Sequence, residues 1–136
     1  MMIRYVLCFL VMLLGFNSPA LAETSPLEVP GAESVSAEQA AALFDEGVVF
    51  VDVRKPSDFE AGRVPGAVHL DLKSNFSAET LAAAVAKDQP VVIYCNGGSC
   101  MRSSEACAKA VEWGFTKVYY FRGGYPEWES AGLPVE

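Results

Sequence analysis

Short apolar runs alternate along the chain with segments whose apolar residues recur at helical spacing. The apolar runs predict strands at residues 48–53, 68–70, 91–94 and 117–121. The helical spacing predicts helices at residues 36–46, 77–86, 103–113 and 125–130, and one helical turn at 57–60. Because strands and helices alternate, the pattern predicts an α/β fold in which helices flank both faces of a mostly parallel sheet.

The first 22 residues differ from the rest of the chain. Arg4 precedes a nearly unbroken apolar run at residues 5–16, and small residues at Ala20 and Ala22 suit a signal peptidase. An uncleaved membrane anchor is the alternative, but the run is shorter than the ~20 residues that a bilayer core requires. Residues 1–22 are therefore predicted to be a cleaved signal peptide, which makes the mature protein periplasmic or secreted.

The rest of the chain has room for one domain. The whole sequence has 136 residues, of which 51% are hydrophobic and 20% charged. Residues 23–33 are rich in Pro, Glu and Ser and predict a linker or a loose N-terminal arm. Residues 34–136 are predicted to form the folded domain.

The negative net charge limits the classes of partner that this protein is expected to bind. The net charge is −7, and removal of Arg4 with the signal peptide would make it one unit more negative. An acidic surface repels phosphates and anionic lipids, and the sequence has no cluster of Lys and Arg to overcome that repulsion. Neither nucleic acid nor, after signal cleavage, a membrane is an expected partner.

The cysteines indicate chemistry rather than a metal site. Cys8 lies in the signal peptide, so Cys95, Cys100 and Cys107 remain, and at least one of them is unpaired within a monomer. Their spacing is not accompanied by a histidine cluster, because the single histidine, His69, is distant in sequence. We expect neither a metal nor a cofactor.

Cys95 directly follows the predicted strand at residues 91–94 and precedes the helix that begins near Ser103. In parallel sheets, ligands bind beyond the carboxyl ends of strands, where helix N-termini favour negative charge. Adjacent glycines in the connection allow positive φ and a sharp turn, so that backbone N–H groups can surround one sulfur and lower its pKa. The predicted site therefore has Cys95 as the nucleophile and a binding loop of Asn96, Gly97, Gly98, Ser99, Cys100, Met101 and Arg102.

Other interpretations of these residues stay open. Cys95 could be a small buried residue at the end of a strand. Cys100 could be a resolving thiol, a disulfide partner of Cys95 or an ordinary loop residue. Cys107 lies on the apolar face of a predicted helix and is expected in the core, and His69 is expected to be structural.

Three segments resemble the rhodanese family. Residues 51–54 and 59–67 are similar to its Asp-Val-Arg and Gly-His-Ile-Pro-Gly-Ala signatures. Residues 92–95 resemble the strand that leads to its active cysteine, and residues 123–128 resemble its Gly-Gly-x-x-x-Trp element. The resemblance implies about five mostly parallel strands and a persulfide on Cys95. It also implies a small sulfur donor such as thiosulfate and a thiol or protein acceptor.

The sequence departs from the family pattern at two places. Arg63 stands where the family usually has His, and Arg102 lies seven residues beyond Cys95, so the active-site loop is longer than usual and contains Cys100. Related phosphatases use Cys-x5-Arg, which this chain does not match. Two further hypotheses therefore accompany sulfur transfer: a thiol-disulfide redox protein that uses Cys95 and Cys100, and a non-catalytic binding or sensor module.

Overall fold

A computed structural model describes residues 24–136, so the predicted signal peptide lies outside the described residues. Within them, five parallel strands form one sheet in the order β1-β5-β4-β2-β3. The strands are β1 (Ala32–Ser34), β2 (Val49–Asp52), β3 (Val68–His69), β4 (Val91–Tyr94) and β5 (Val118–Phe121). The helices are α1 (Ala37–Asp45), α2 (Pro56–Ala61), α3 (Ala78–Ala84), α4 (Arg102–Glu112) and α5 (Gly124–Ser130). The predicted α/β fold with a parallel sheet is confirmed.

Local sequence signals account for several of these elements. Ser36 caps α1 in a capping box with Gln39, and Ser77 caps α3 in the same way with Thr80. Pro56 occupies the first turn of α2, where a missing N–H costs nothing. The central strands β2 and β4 are almost entirely buried, in agreement with their lack of a polar face.

The arm predicted at residues 23–33 is not loose where the structure describes it, from residue 24 onward. The three residues of β1 pair in parallel with β5, and Val29 is buried in the main core. The hydroxyl of Tyr120 donates to the carbonyl of Pro26 at 2.8 Å. The prediction failed because backbone hydrogen bonds hold this edge strand, whose side chains are largely exposed and give no apolar pattern.

Side chains of the central strand alternate between two apolar layers. Val91, Ile93 and Cys95 pack in the layer that contains the buried face of α4, whereas Val92 and Tyr94 pack in the layer around Trp128 of α5. The chain direction and this two-residue period therefore place the Cys95 side chain on the α4 side of the sheet. No helix within residues 24–136 is long and apolar enough to cross a membrane.

A buried ion pair lies at the carboxyl end of β2. Asp52 is fully buried and Arg54 is 3% exposed, and the guanidinium contacts both carboxylate oxygens at 2.7–3.1 Å. Arg54 also donates to the carbonyl of Gly62 at 2.6 Å and lies 4.5 Å from the ring centroid of Tyr125. The two buried charges are therefore paired with each other, and the contacts of Arg54 join the end of β2 to the start of α5.

We predict that Arg54→Ala lowers the free energy of unfolding by about 3–5 kcal/mol, because Asp52 would be left buried without its partner. Urea denaturation measures the loss. Glu136→Gln is the control, since the ion pair of Glu136 with Arg63 lies at the surface and should contribute less than about 1 kcal/mol. Equal losses in the two variants would contradict a structural role for the buried pair.

Candidate active site

The candidate site lies where β4 gives way to α4. Cys95 immediately follows β4, and residues 96–101 connect it to the first residue of α4, Arg102. Gly97 has a φ of 101°, which a residue with a side chain rarely adopts, whereas Gly98 does not share the positive φ that the sequence predicted for the pair. One glycine is thus enough to turn the chain here.

The start of α5 packs directly against the backbone of Cys95. The N–H of Tyr125 donates to the Cys95 carbonyl at 2.9 Å. A Cβ atom on Gly124 would lie 2.2 Å from that carbonyl oxygen, and Gly124 has a φ of 60°. The glycine is therefore required for the close approach of the two segments, which explains why the Gly-Gly-x-x-x-Trp segment accompanies the cysteine.

The Cys95 side chain points toward the first turn of α4 and has no exposed surface. Its sulfur accepts a hydrogen bond from the N–H of Ser103 at 3.3 Å. The same sulfur lies 3.2 Å from the Ser103 hydroxyl and 3.6 Å from the carbonyl oxygen of Cys100. Ser103 is therefore a site residue that the sequence analysis treated only as a helix start.

The pKa values of Cys95 and Cys100 shift in opposite directions. A hydrogen bond from the Cys95 thiol to the Cys100 sulfur lowers the pKa of Cys100 to about 6, and backbone N–H groups of Asn96 and Arg102 contribute to the shift. The same hydrogen bond, together with burial, raises the pKa of Cys95. The sequence predicted a lowered pKa for Cys95, whereas in the folded loop the lowered pKa belongs to Cys100.

Asn96 fastens the beginning of the loop to the rest of the domain. Its side-chain oxygen accepts from Arg54 at 3.3 Å, and its side-chain nitrogen donates to Asp58 at 2.8 Å. Asp58 belongs to α2, so the loop is tied to the buried ion pair and to a helix on the neighbouring strand connection. The side chain of Asn96 supports the loop in addition to the backbone role predicted for it.

Arg102 is not a free cation for an anionic ligand. Its guanidinium donates to Asp71 at 2.7 Å and to the carbonyl of Val53 at 3.1 Å. The ion pair neutralises much of the charge that the sequence analysis assigned to ligand binding, although Arg102 still lowers the pKa of the adjacent Cys100. Met101, the residue before it, is 42% exposed at the protein surface.

The N-terminal arm supports the middle of the loop. Ser25, which is 5% exposed, donates both its N–H and its hydroxyl to the Gly98 carbonyl, and Thr24 donates to the Ser99 carbonyl at 2.9 Å. Arg122 in turn donates to the carbonyl of Ser25 at 3.0 Å. Sequence reasoning missed these contacts because Thr24 and Ser25 carry no local signal and are more than 70 positions from the loop.

The remaining titratable residues near the sheet are structural. Cys107 is buried in the core on α4, and burial raises the pKa of its thiol. His69 is stacked on Phe59, with a ring nitrogen 2.8 Å from the carbonyl oxygen of Arg54. Cys95 and Cys100 are therefore the two cysteines that the fold brings together.

Comparison with known proteins agrees with this architecture. The family model of the rhodanese-like domain matches residues 36–131. The chain belongs to the rhodanese-like domain family. The predicted membership is thereby confirmed, and the family match begins after the N-terminal arm that supports the loop.

Curated relatives of this rhodanese-like protein are sulfurtransferases. The thiosulfate sulfurtransferase GlpE of Pseudomonas syringae pv. syringae is 40% identical over 93 residues, which cover 68% of this chain and 83% of the relative. A sulfurtransferase of Allochromatium vinosum is 36% identical over 90 residues, covering 66% of this chain and 79% of the relative. The predicted enzyme class, a sulfurtransferase, is confirmed by these similarities.

The fold is shared with solved structures. The BH2092 protein of Bacillus halodurans superposes with a TM-score of 0.68 over 77% of this chain and 77% of its own, at 22% sequence identity. At that identity the likeness shows the fold alone. It agrees with the five-stranded parallel sheet described above.

We predict that alkylation of Cys100 by iodoacetamide accelerates as the pH rises through about 6, because the thiolate is the reactive form and the pKa of Cys100 is lowered. In Cys95→Ala the hydrogen-bond donor is lost, so the midpoint should move upward toward the value of an ordinary cysteine, about 8.5. Peptide mass mapping across a pH series measures the rate at this cysteine.

Cys107→Ala is the control for this measurement. Cys107 lies in the core, so its replacement should leave the alkylation midpoint of Cys100 unchanged. A midpoint that stays near 6 in Cys95→Ala would show that the thiol of Cys95 does not stabilise the charge on Cys100.

Proposed function

We propose that this protein takes sulfane sulfur from thiosulfate or a persulfide onto Cys95 and passes it to a thiophilic acceptor. The observation that carries the proposal is the position of Cys95 at the carboxyl end of β4, with the N–H of Ser103 at its sulfur. The curated relatives named thiosulfate sulfurtransferase support thiosulfate as the donor.

The reaction begins with a proton transfer inside the cysteine pair. The Cys95 thiol gives up its proton to Cys100, which leaves a thiolate on Cys95. That thiolate attacks the outer sulfur of thiosulfate, the sulfur–sulfur bond of the donor breaks, and sulfite leaves with the electron pair. A persulfide on Cys95 remains, and an acceptor thiolate or cyanide then removes its outer sulfur.

Access to Cys95 depends on the side chain that covers it. Cys95 has no exposed surface, and Cys100 lies over it at the partly exposed end of the loop. We propose that the Cys100 side chain turns aside when the donor binds, since a rotamer change of one small side chain is fast compared with catalysis. The N–H of Ser103 then remains in place to stabilise the charged sulfur.

We also propose that the protein is exported from the cytoplasm. The charged start, apolar run and small residues of residues 1–22 support a signal peptide, so the sulfur transfer would take place in the periplasm or outside the cell. Cleavage after Ala22 would leave Thr24 and Ser25 close to the new N-terminus, where they contact the loop. The acceptor would then be a small thiol or a protein thiol of that compartment.

A thiol-disulfide redox protein is the second candidate. The nearness of the two residues favours it, because the Cys95 sulfur lies 3.6 Å from the Cys100 carbonyl oxygen and two neighbouring thiols can close a disulfide without a large movement. Such a protein would be oxidised by disulfides and would release no sulfite from thiosulfate. A non-catalytic module would respond to neither reagent.

We predict that Cys95→Ser lowers thiosulfate:cyanide sulfurtransferase activity by about 1,000-fold or more, because the serine hydroxyl replaces the sulfur that carries the persulfide. Thiocyanate formation measures the activity. Cys107→Ala should retain activity close to that of the wild type, since Cys107 belongs to the core. Full activity in Cys95→Ser would assign the nucleophile to Cys100.

We predict that expression of the full chain in a Gram-negative host yields a periplasmic protein whose N-terminus is Glu23. Mass measurement of the protein from the periplasmic fraction tests the prediction. Ala22→Asp is expected to block cleavage, because signal peptidase requires a small residue there. Wild-type protein that stays intact in the cytoplasm would refute export.

A further inference from the structure

We infer that Cys100 is a second catalytic residue, which attacks the Cys95 persulfide, releases its outer sulfur as hydrosulfide and leaves a disulfide between Cys95 and Cys100. The inference rests on the proposed persulfide at Cys95. It adds an activity to sulfur transfer, because the sulfane sulfur would leave reduced even in the absence of an external sulfur acceptor.

The loop holds the two cysteines together. The Cys95 sulfur lies 3.6 Å from the Cys100 carbonyl oxygen. The N–H of Cys100 donates to the Gly97 carbonyl at 2.9 Å, which closes a turn that returns the chain over Cys95. A disulfide between these residues therefore needs only a local adjustment of one loop.

The contacts of the N-terminal arm keep this turn closed. Ser25 and Thr24 bind the carbonyl groups of Gly98 and Ser99, the two residues at the outside of the turn. Because the C=O and N–H of a trans peptide point in opposite directions, these bonds direct the N–H of Cys100 away from the arm and toward Gly97. The arm thus favours the loop conformation that places Cys100 over Cys95.

The surroundings of Cys100 suit a nucleophile. The pKa of Cys100 is lowered to about 6, and the backbone N–H groups of Asn96 and Arg102 are among the causes. Cys100 is also partly exposed, so its sulfur can turn aside for a donor and return. Cys107, by contrast, is packed in the core on α4, and burial raises the pKa of its thiol.

The two cysteines supply both electrons for this step, and an external reductant is needed only to restore the two thiols afterwards. A bond forms between the sulfurs of Cys100 and Cys95, and the bond between the Cys95 sulfur and the outer sulfur breaks. The outer sulfur leaves as hydrosulfide with the electron pair of the broken bond, so it is reduced while the Cys100 sulfur is oxidised. A small dithiol reductant must then reduce the disulfide to restore both thiols.

A single turnover under anaerobic conditions tests the inference. Fully reduced protein receives one equivalent of thiosulfate without cyanide or any external thiol, and sulfite, hydrosulfide and protein mass are measured. The expected result is one sulfite and one hydrosulfide per chain, and a protein that is lighter by two hydrogen atoms. A dithiol should restore the original mass and permit a second turnover.

Cys100→Ser separates the two steps. This variant should still release sulfite and gain the mass of one sulfur atom, but its hydrosulfide release should fall by about 100-fold or more. Cys107→Ala is the matched control and should behave as the wild type. Hydrosulfide release at the wild-type rate from Cys100→Ser would overturn the inference.

The outcomes also separate this inference from the proposed function. Sulfite release from the wild type with the added sulfur retained on the chain would overturn the role of Cys100 and leave sulfur transfer intact. An absence of sulfite from both the wild type and Cys100→Ser would contradict the formation of a persulfide on Cys95, and the inference would fail with it. No sulfite and no change of mass with thiosulfate, but a loss of two hydrogen atoms on treatment with a small disulfide, would favour the redox candidate instead.

Discussion

Side chains along β4 alternate between the two faces of the sheet, and this constraint determines where the sulfur of Cys95 lies. Ile93 and Cys95 share one face, so the thiol points into the layer of α4 and receives the N–H of Ser103. A shift of one residue would direct it toward Trp128 instead. The buried strand thus aligns a sulfur with a helix N-terminus, which is the electrostatic basis of the site.

The length of the loop brings a second cysteine close to Cys95. With residues 96–101 between β4 and α4, the chain has room to fold Cys100 over Cys95, and the amides of Asn96 and Arg102 reach the outer sulfur. The inner thiol becomes a hydrogen-bond donor in a buried position, which raises its pKa.

The loop keeps this shape through contacts with distant parts of the chain. Asn96 binds Arg54, whose charge is satisfied by Asp52 in the core. Ser25 in the N-terminal arm binds the Gly98 carbonyl from the other side. Because these supports come from separate segments, the conformation of the loop depends on the folded domain and not on its own short sequence.

The sequence by itself determined the features that depend on local patterns. The burial of β2 and β4, the caps at Ser36 and Ser77, and the position of Cys95 between a strand and a helix were all predicted correctly. Tertiary structure alone decided that β1 joins the sheet, that Asp71 pairs with Arg102, and that the pKa of Cys100 is lowered. These features depend on distances between groups far apart in the chain, to which propensity and periodicity are insensitive, because both describe only near neighbours in sequence.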